Sequence, residues 1–332
     1  MGMAESIRSL PARRSALKAG LAAGLTGLLM PAINACTPEA RPGNVTVAGG
    51  EAGGFYLEFS TLLADALQRH GVADHAAALT TGGSLDNLDY LLTGKATFAV
   101  ALADAAAQQA AAKSPSNIAA LGKVYENYVH CVVRRDSGIR DFDGLVGRTV
   151  AVGEPGSGTS LTTPRLIEAA GLSATLGGNG KTITVMNLGL NAGLAALQSG
   201  SVDALFWSGG VPTAAIAAAN REAGLAFLDL SSLLPAMRKR YGAFYDRVLI
   251  PEGSYEGIPA VWTVGVANLL LCRSDLDETI VKRTVELLVG YAQELIPKSS
   301  LGVQFLSPET LINTAELPLH PAAAEAYRAL HG

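Results

Sequence analysis

The residues Gly156-Ser157-Gly158-Thr159-Ser160 bring small hydroxyls and flexible backbone together at one point of a 332-residue chain. Two chemistries could use them. A serine between glycines could be a nucleophile, as in a hydrolase or a phosphate-ester transferase. That requires a GxSxG elbow or, for phosphate, the lysine of a P-loop, and this stretch has neither. It also requires a base, and none of the five histidines lies near a nucleophile motif. The other chemistry is binding. A helix starting here would expose N–H groups that lack intrahelical partners and carry the positive end of its dipole. Ser157, Gly158 and Thr159, with Gly156 turning the chain, would then clamp a carboxylate through backbone N–H and hydroxyl donors. Taken alone, the segment could equally be a plain strand-to-helix turn.

The flanking elements decide between these readings. An apolar strand, Arg148 to Val152, runs into the corner, and a helix from about Leu161 to Ala170 runs out. Two other corners are built alike. Val45 to Ala48 leads through Gly49-Gly-Glu-Ala-Gly-Gly-Phe-Tyr56 into a helix from Leu57 to Arg69. Ala76 to Leu79 leads through Thr80-Thr-Gly-Gly-Ser84 into a helix from Leu85 to Leu92. Ligands of open α/β sheets sit beyond the carboxyl ends of parallel strands, so three such corners together favour a cleft.

Each corner contributes candidates. After Gly54, Phe55 and Tyr56 offer a ring to pack on a solute and a phenol to donate, with one of the two expected in contact. Ser84 is expected to cap its helix and donate. Asn87, one turn in, either points to the cleft or is an exposed helix residue. Asp104 and Glu154 would receive an ammonium group; otherwise the first caps a helix and the second faces solvent. Trp207, Gly210 and Pro212 follow the strand Asp203 to Phe206, which places an indole at the cleft edge. His130 reads as a core histidine. No glycine corner contains arginine, so anion recognition falls to helix ends and neutral donors.

The chain also repeats itself. Val45 to Arg69 matches Val150 to Gly171, and Asn87 to Val100 matches Gly193 to Phe206, with Gly94 and Gly200 as helix-ending glycines. Two copies are what two similar α/β lobes facing one cleft would give. Later, Trp262 to Cys272 is a long apolar strand and Glu278 to Ile296 an amphipathic helix. A terminal helix carries Pro321 in its first turn.

Met1 to Ala35 holds four basic residues and one acid, so the net charge of −4 becomes −7 without it. Such acidity opposes nucleic-acid binding. Residues 1–35 read as an export signal, with Arg13-Arg14 ahead of a short apolar piece. Ile33-Asn-Ala-Cys36 fits either acylation of Cys36 or plain cleavage, and residues 36–44 would form a tether. Cys131 and Cys272 lie in apolar strands and read as buried thiols. No Cys/His spacing suggests a metal, and no cofactor is expected.

The order of Ala48-Gly-Gly-Glu-Ala-Gly-Gly-Phe-Tyr56, Thr81-Gly-Gly-Ser-Leu-Asp-Asn87, Val152-Gly-Glu-Pro-Gly-Ser-Gly-Thr159, Val211-Pro-Thr213, Ile250 to Gly257, Thr263-Val-Gly265 and Leu319-His-Pro321 resembles TAXI-type solute receptors of TRAP transporters. The resemblance covers most of the mature chain. It implies an α/β, type II periplasmic-binding-protein-like fold, with lobes at 45–130 plus 268–332 and at 131–267. Hinge strands would lie near Tyr128 to Val133 and Trp262 to Cys272. It also implies a periplasmic monomer that binds a small anionic or zwitterionic solute: glutamate, glutamine, a 2-oxo acid or a dicarboxylate. The partner implied is a set of TRAP membrane permease subunits, with no membrane contact beyond that permease and the lipid anchor. Leu102-Ala103 and Glu154 depart from the family pattern. A receptor-fold sensor or adaptor signalling to a membrane kinase is the rival reading.

Overall fold

Short apolar runs and amphipathic segments alternate along the chain, and they fold as strands and helices in turn. The computed structural model describes residues 43–112, 116–174, 182–298, 300 and 308–331. The expected leader, Cys36 and most of the tether lie outside the described residues. The first run gives β1 (Asn44–Ala48), α1 (Phe55–Arg69), β2 (His75–Leu79), α2 (Ser84–Leu92), β3 (Phe98–Leu102) and α3 (Ala103–Ala112). A long strand, β4 (Ile118–Arg134), leads to the second run. This comprises β5 (Thr149–Ala151), α4 (Gly158–Ala169), β6 (Ser173–Ala174), β7 (Thr182–Met186), α5 (Leu190–Ser199), β8 (Ala204–Gly209) and α6 (Ala214–Ala223). Next come β9 (Leu225–Phe227), α7 (Leu234–Tyr241), β10 (Tyr245–Ile250) and a second long strand, β11 (Val261–Arg273). The helices α8 (Glu278–Gly290), α9 (Pro308–Leu311) and α10 (Pro321–His331) follow.

The strands lie in the order β2-β1-β3-β11-β4-β8-β5-β7-β6, with β10 on β11 and β9 on β4. The sequence repeat is therefore a repeat of topology. In the first half β1 is flanked by β2 and β3, all parallel; in the second β5 is flanked by β7 and β8, again parallel. The long strands β4 and β11 run antiparallel between the halves and are shared by both. Up to Tyr128, β4 pairs with β11; from Tyr128 onward it pairs with β8 and β9. The β4–β11 register shifts between Asn268 and Leu269 and again between Leu270 and Leu271.

Burial explains why these segments take these forms. β3 is buried throughout, and its alternate residues serve different layers: Phe98 and Val100 pack under α1, whereas Ala99 and Ala101 pack on the other face. In α1, Phe55, Phe59, Leu63 and Leu67 recur at helical spacing and are all buried. Asp277 caps α8 by accepting from the N–H groups of Thr279 and Ile280.

Three local expectations shift, and the two buried thiols stand as read. α1, α2 and α4 start one to three residues earlier than read, because the chain enters each helix directly from its N-cap. β8 extends to Gly209, held by pairing of His130 with Trp207 and of Tyr128 with Gly209, so the indole lies on a strand and not past it. The expected helix to Ile296 breaks after Gly290 into a 3-10 turn at Ala292–Leu295. Cys131 and Cys272 are buried, free thiols: register places Cys272 opposite Ala119 and Cys131 opposite Phe206.

Gly94 and Gly200 follow the ends of α2 and α5 with φ of 74° and 79°. A methyl group at Gly94 would meet nothing within 4 Å, and one at Gly200 only an Arg134 nitrogen at 3.5 Å. The cost of alanine is thus that of the left-handed backbone alone, about 1 kcal/mol at each site. Gly94→Ala and Gly200→Ala should each lower the unfolding free energy from urea titration by that amount, and the double variant by their sum.

Candidate functional site

The three glycine corners meet. The N-caps of α1, α2 and α4 are Gly54, Gly83 and Ser157. All three line one cavity together with the helical residues that follow them: Phe55 and Tyr56, Ser84, and Gly158 and Thr159. Gly50, Glu51, Leu102, Asn127, Trp207 and Ser208 supply much of the remaining wall, and the cavity is narrow, with a volume of about 20 Å³. Two of the helices belong to the first repeat and one to the second, so both halves contribute. Each helix start brings a partial positive charge to the same space, although the Leu85 and Asp86 N–H groups of α2 are taken by the Gly156 carbonyl.

Small residues make this possible. A methyl at Gly158 would lie 2.5 Å from Leu102 Cδ1 and 2.8 Å from Ser84 Oγ, and one at Gly83 would lie 3.3 Å from Ser157 Cα. The halves are in contact across the cavity. The Gly156 carbonyl accepts from the N–H groups of Leu85 (2.9 Å) and Asp86 (3.2 Å), so one half caps a helix of the other. The Ser157 hydroxyl accepts from Ser160 N at 3.0 Å, as expected of an N-cap.

Several side chains read as donors to a solute serve the protein itself. The Leu102 N–H donates to Ser84 Oγ, which shares a bond with the Tyr56 hydroxyl, which in turn donates to Asn268 Oδ1. Ser84 is the first helical residue and makes no cap; Gly83 is the N-cap and has no side chain to make one. Asn87 is buried away from the cavity. Its amide donates to the Gly49 and Val100 carbonyls and accepts from the Thr81 hydroxyl, tying the end of β1 to β3. Phe55 and Tyr56 both line the cavity, where one ring was expected. Trp207 lies against Gly54 and donates its indole N–H to Thr213 Oγ1 at 3.2 Å. Gly210 and Pro212 lie in the turn beyond β8, outside the lining, where the Gly210 carbonyl accepts from Thr213.

The two acids read as ammonium acceptors are not in the wall. Glu154 is exposed. Asp104 is buried in the first turn of α3, where Arg165 Nη1, the Tyr245 hydroxyl and the Ala105 N–H each lie 2.8 Å from its carboxylate. Burial pushes the Asp104 carboxyl up, and Arg165 and then the Tyr245 hydroxyl draw it back. Arg165 also reaches Gln108 Oε1 at 2.7 Å, so α4 is tied to α3 on the flank of the cavity. The acid that does line the cavity is Glu51, which sequence reasoning passed over inside its glycine run. Its Oε2 accepts from Leu190 N at 2.9 Å, at the start of α5. Burial raises its carboxyl above the usual range, the Leu190 bond lowers it, and the nearby Glu154 raises it again.

His130 is a core residue. One ring nitrogen lies 3.0 Å from the Tyr128 carbonyl and the other 2.9 Å from the Tyr255 hydroxyl. Burial pushes its pKa down to about 4, so it is neutral at physiological pH. Among the described residues, no histidine, lysine or arginine lines the cavity and no cluster could hold a metal ion.

The sequence model of the NMT1-like family matches residues 47–329. Among solved structures, a protein from Bordetella bronchiseptica RB50 is 15% identical over 87% of this chain and 98% of its own, with a TM-score of 0.51. The ligand-binding core of GluR0 from Nostoc punctiforme, solved with L-glutamate, is 16% identical over 76% of this chain and 97% of its own, with a TM-score of 0.48. The periplasmic aliphatic sulphonate binding protein SsuA from Escherichia coli is 15% identical over 86% and 79%, with a TM-score of 0.46. At these identities the likeness is one of fold alone, a mixed α/β fold with an open sheet.

Arg165→Met would strand the Asp104 carboxylate in the interior and should cost about 3 kcal/mol or more, measured by urea unfolding. Adding Asp104→Asn should return part of that loss. His130 gives a pH dependence of definite sign. Between its ordinary pKa of 6.5 and its native value of about 4, the unfolded chain binds a proton that the native state refuses. Its contribution, roughly 3 kcal/mol, is therefore full above that window and is lost as pH falls through it. His130→Gln should flatten the acid limb of a plot of urea midpoint against pH.

Proposed function

The chain belongs to the NMT1-like family, and on that premise we propose that it is a solute receptor for a small carboxylate-bearing compound. The observation that carries this is the meeting of three helix starts, from both repeats, on one cavity. A carboxylate placed there meets the positive ends of α1 and α4, with α2 already capped by the Gly156 carbonyl, and has no lysine or arginine to order. Glutamate, glutamine, 2-oxo acids and dicarboxylates are the candidate class. Binding, and not catalysis, fits the groups present. The Ser157 hydroxyl serves as a helix cap, and the wall offers no base beside it.

The proposal extends to the assembly. The lobes are 45–130 plus 268–332 and 131–267, and the long strands shared by both act as hinges. The solute favours the closed form by population shift. The receptor works in the periplasm, exported by residues 1–35 and held by a lipid on Cys36. It delivers its solute to the membrane subunits of a TRAP-type transporter. Among the described residues no helix is long and apolar enough to cross a membrane.

Thermal unfolding of the chain from Cys36 onward against a panel of small acids tests the reading. A ligand at ~100 times its dissociation constant adds about 2.7 kcal/mol of stability, which should raise the midpoint by a few degrees. Flat curves for ligand-free protein across the panel would remove the carboxylate reading and leave the fold.

A further inference from the structure

Acceptors without donors mark the same cavity. Glu51 Oε1 is buried and has no hydrogen-bond partner, although the other oxygen of that carboxylate is bonded to Leu190 N. Asn127, 1% exposed on β4 and part of the same wall, leaves its Oδ1 without a partner. Its amide nitrogen reaches only Ser208 Oγ, at 3.4 Å. A buried acceptor with no donor costs free energy, and a charged one costs more. The wall has no cationic side chain to meet this demand, and the Tyr56 hydroxyl proton is committed to Asn268. A cationic donor therefore has to come with the occupant.

The two kinds of charge in the cavity are thus opposite and both fixed. The starts of α1 and α4 call for an anion, and a carboxylate together with an amide oxygen calls for a group rich in N–H. Glu154 lies close enough to act on Glu51 electrostatically, and it adds to the negative side. A plain dicarboxylate would bring a second anion toward these acids. A 2-oxo acid would bring a carbonyl oxygen, a further acceptor. An ammonium group brings three donors and the neutralising charge.

Building on the receptor reading above, we propose that the solute is an α-amino acid or a similar zwitterion, with its carboxylate on the helix starts and its ammonium group on Glu51 and Asn127. Glu51 is then the residue that discriminates amino acids from their deaminated analogues. It holds its place because its second oxygen caps α5, a helix of the opposite repeat. Binding of the ammonium group and contact between the halves therefore share one side chain.

Isothermal titration of the full mature chain, freed of carried-over ligand, tests this. The probes are the common L-amino acids beside their 2-oxo acids, glutarate and succinate. At least one amino acid should bind at least tenfold more tightly than its 2-oxo analogue. Glu51→Gln keeps an acceptor for Leu190 N but removes the charge, and should weaken that amino acid tenfold or more while the 2-oxo acid is unaffected or improved. Glu51→Asp should retain part of the preference, and circular dichroism and the melting temperature of each free variant report whether it has folded. A 2-oxo acid or dicarboxylate bound as tightly as any amino acid would overturn the inference and leave the receptor standing. So would undiminished amino-acid binding by folded Glu51→Gln. No binding by any probe would remove both readings together.

Discussion

One main-chain group organises the molecule: the carbonyl of Gly156, which caps α2 from the other half of the fold. Helix starts leave N–H groups unpaired, and here part of one half supplies what a helix of the other lacks. The contact has no tolerance for bulk. A methyl group at Gly156, where φ is 93°, would collide with the Asp86 carboxylate, and the same carboxylate accepts from Gly82 N at 3.0 Å. Backbone therefore meets backbone, and the helix starts that remain open face a narrow, shared space. Larger residues at these corners would hold the halves apart, and each dipole would then be exposed to solvent instead of to an occupant.

Around this contact the polar groups fall into two kinds. Several outside the cavity are satisfied by the protein: Asp104 by Arg165 and Tyr245, Asn87 by two carbonyls and a hydroxyl, His130 by a carbonyl and a phenol. Glu51 and Asn127, inside it, are satisfied only in part. Interiors normally pair their buried polar groups, and these two acceptors lie where an occupant can reach them.

The architecture was legible because it is periodic. Apolar runs followed by glycines and then amphipathic segments recur twice in the same order, and the two copies fold as β2-β1-β3 and β7-β5-β8. Gly94 and Gly200 were readable for the same reason, since each ends a helix just before a strand. Individual side chains were less legible, because their roles depend on partners distant in sequence. Asp104 is settled by Arg165 and by Tyr245, 141 residues away. Ser84 and Tyr56 looked like solute donors, yet Asn268, 212 residues from Tyr56, takes the phenol's proton. Glu51 was passed over because an acid between glycines reads as a solvated turn. Only the approach of α5 makes it half-buried.

In the proposed closed form the contacts between the halves carry unequal weight. The Asp104–Arg165 pair, the Gly156 cap and the Glu51–Leu190 bond all join the halves without any solute. Each is weaker in net effect than its geometry suggests, since a buried ion pair must first offset the desolvation of both charges. The Glu51 bond is the most conditional of the three. While Oε1 is unpaired, burying that carboxylate opposes closure, and a donor at Oε1 turns the same burial into a contribution. An occupant that supplies one changes the sign of a term already built into the closed form, so a few contacts suffice to shift the population.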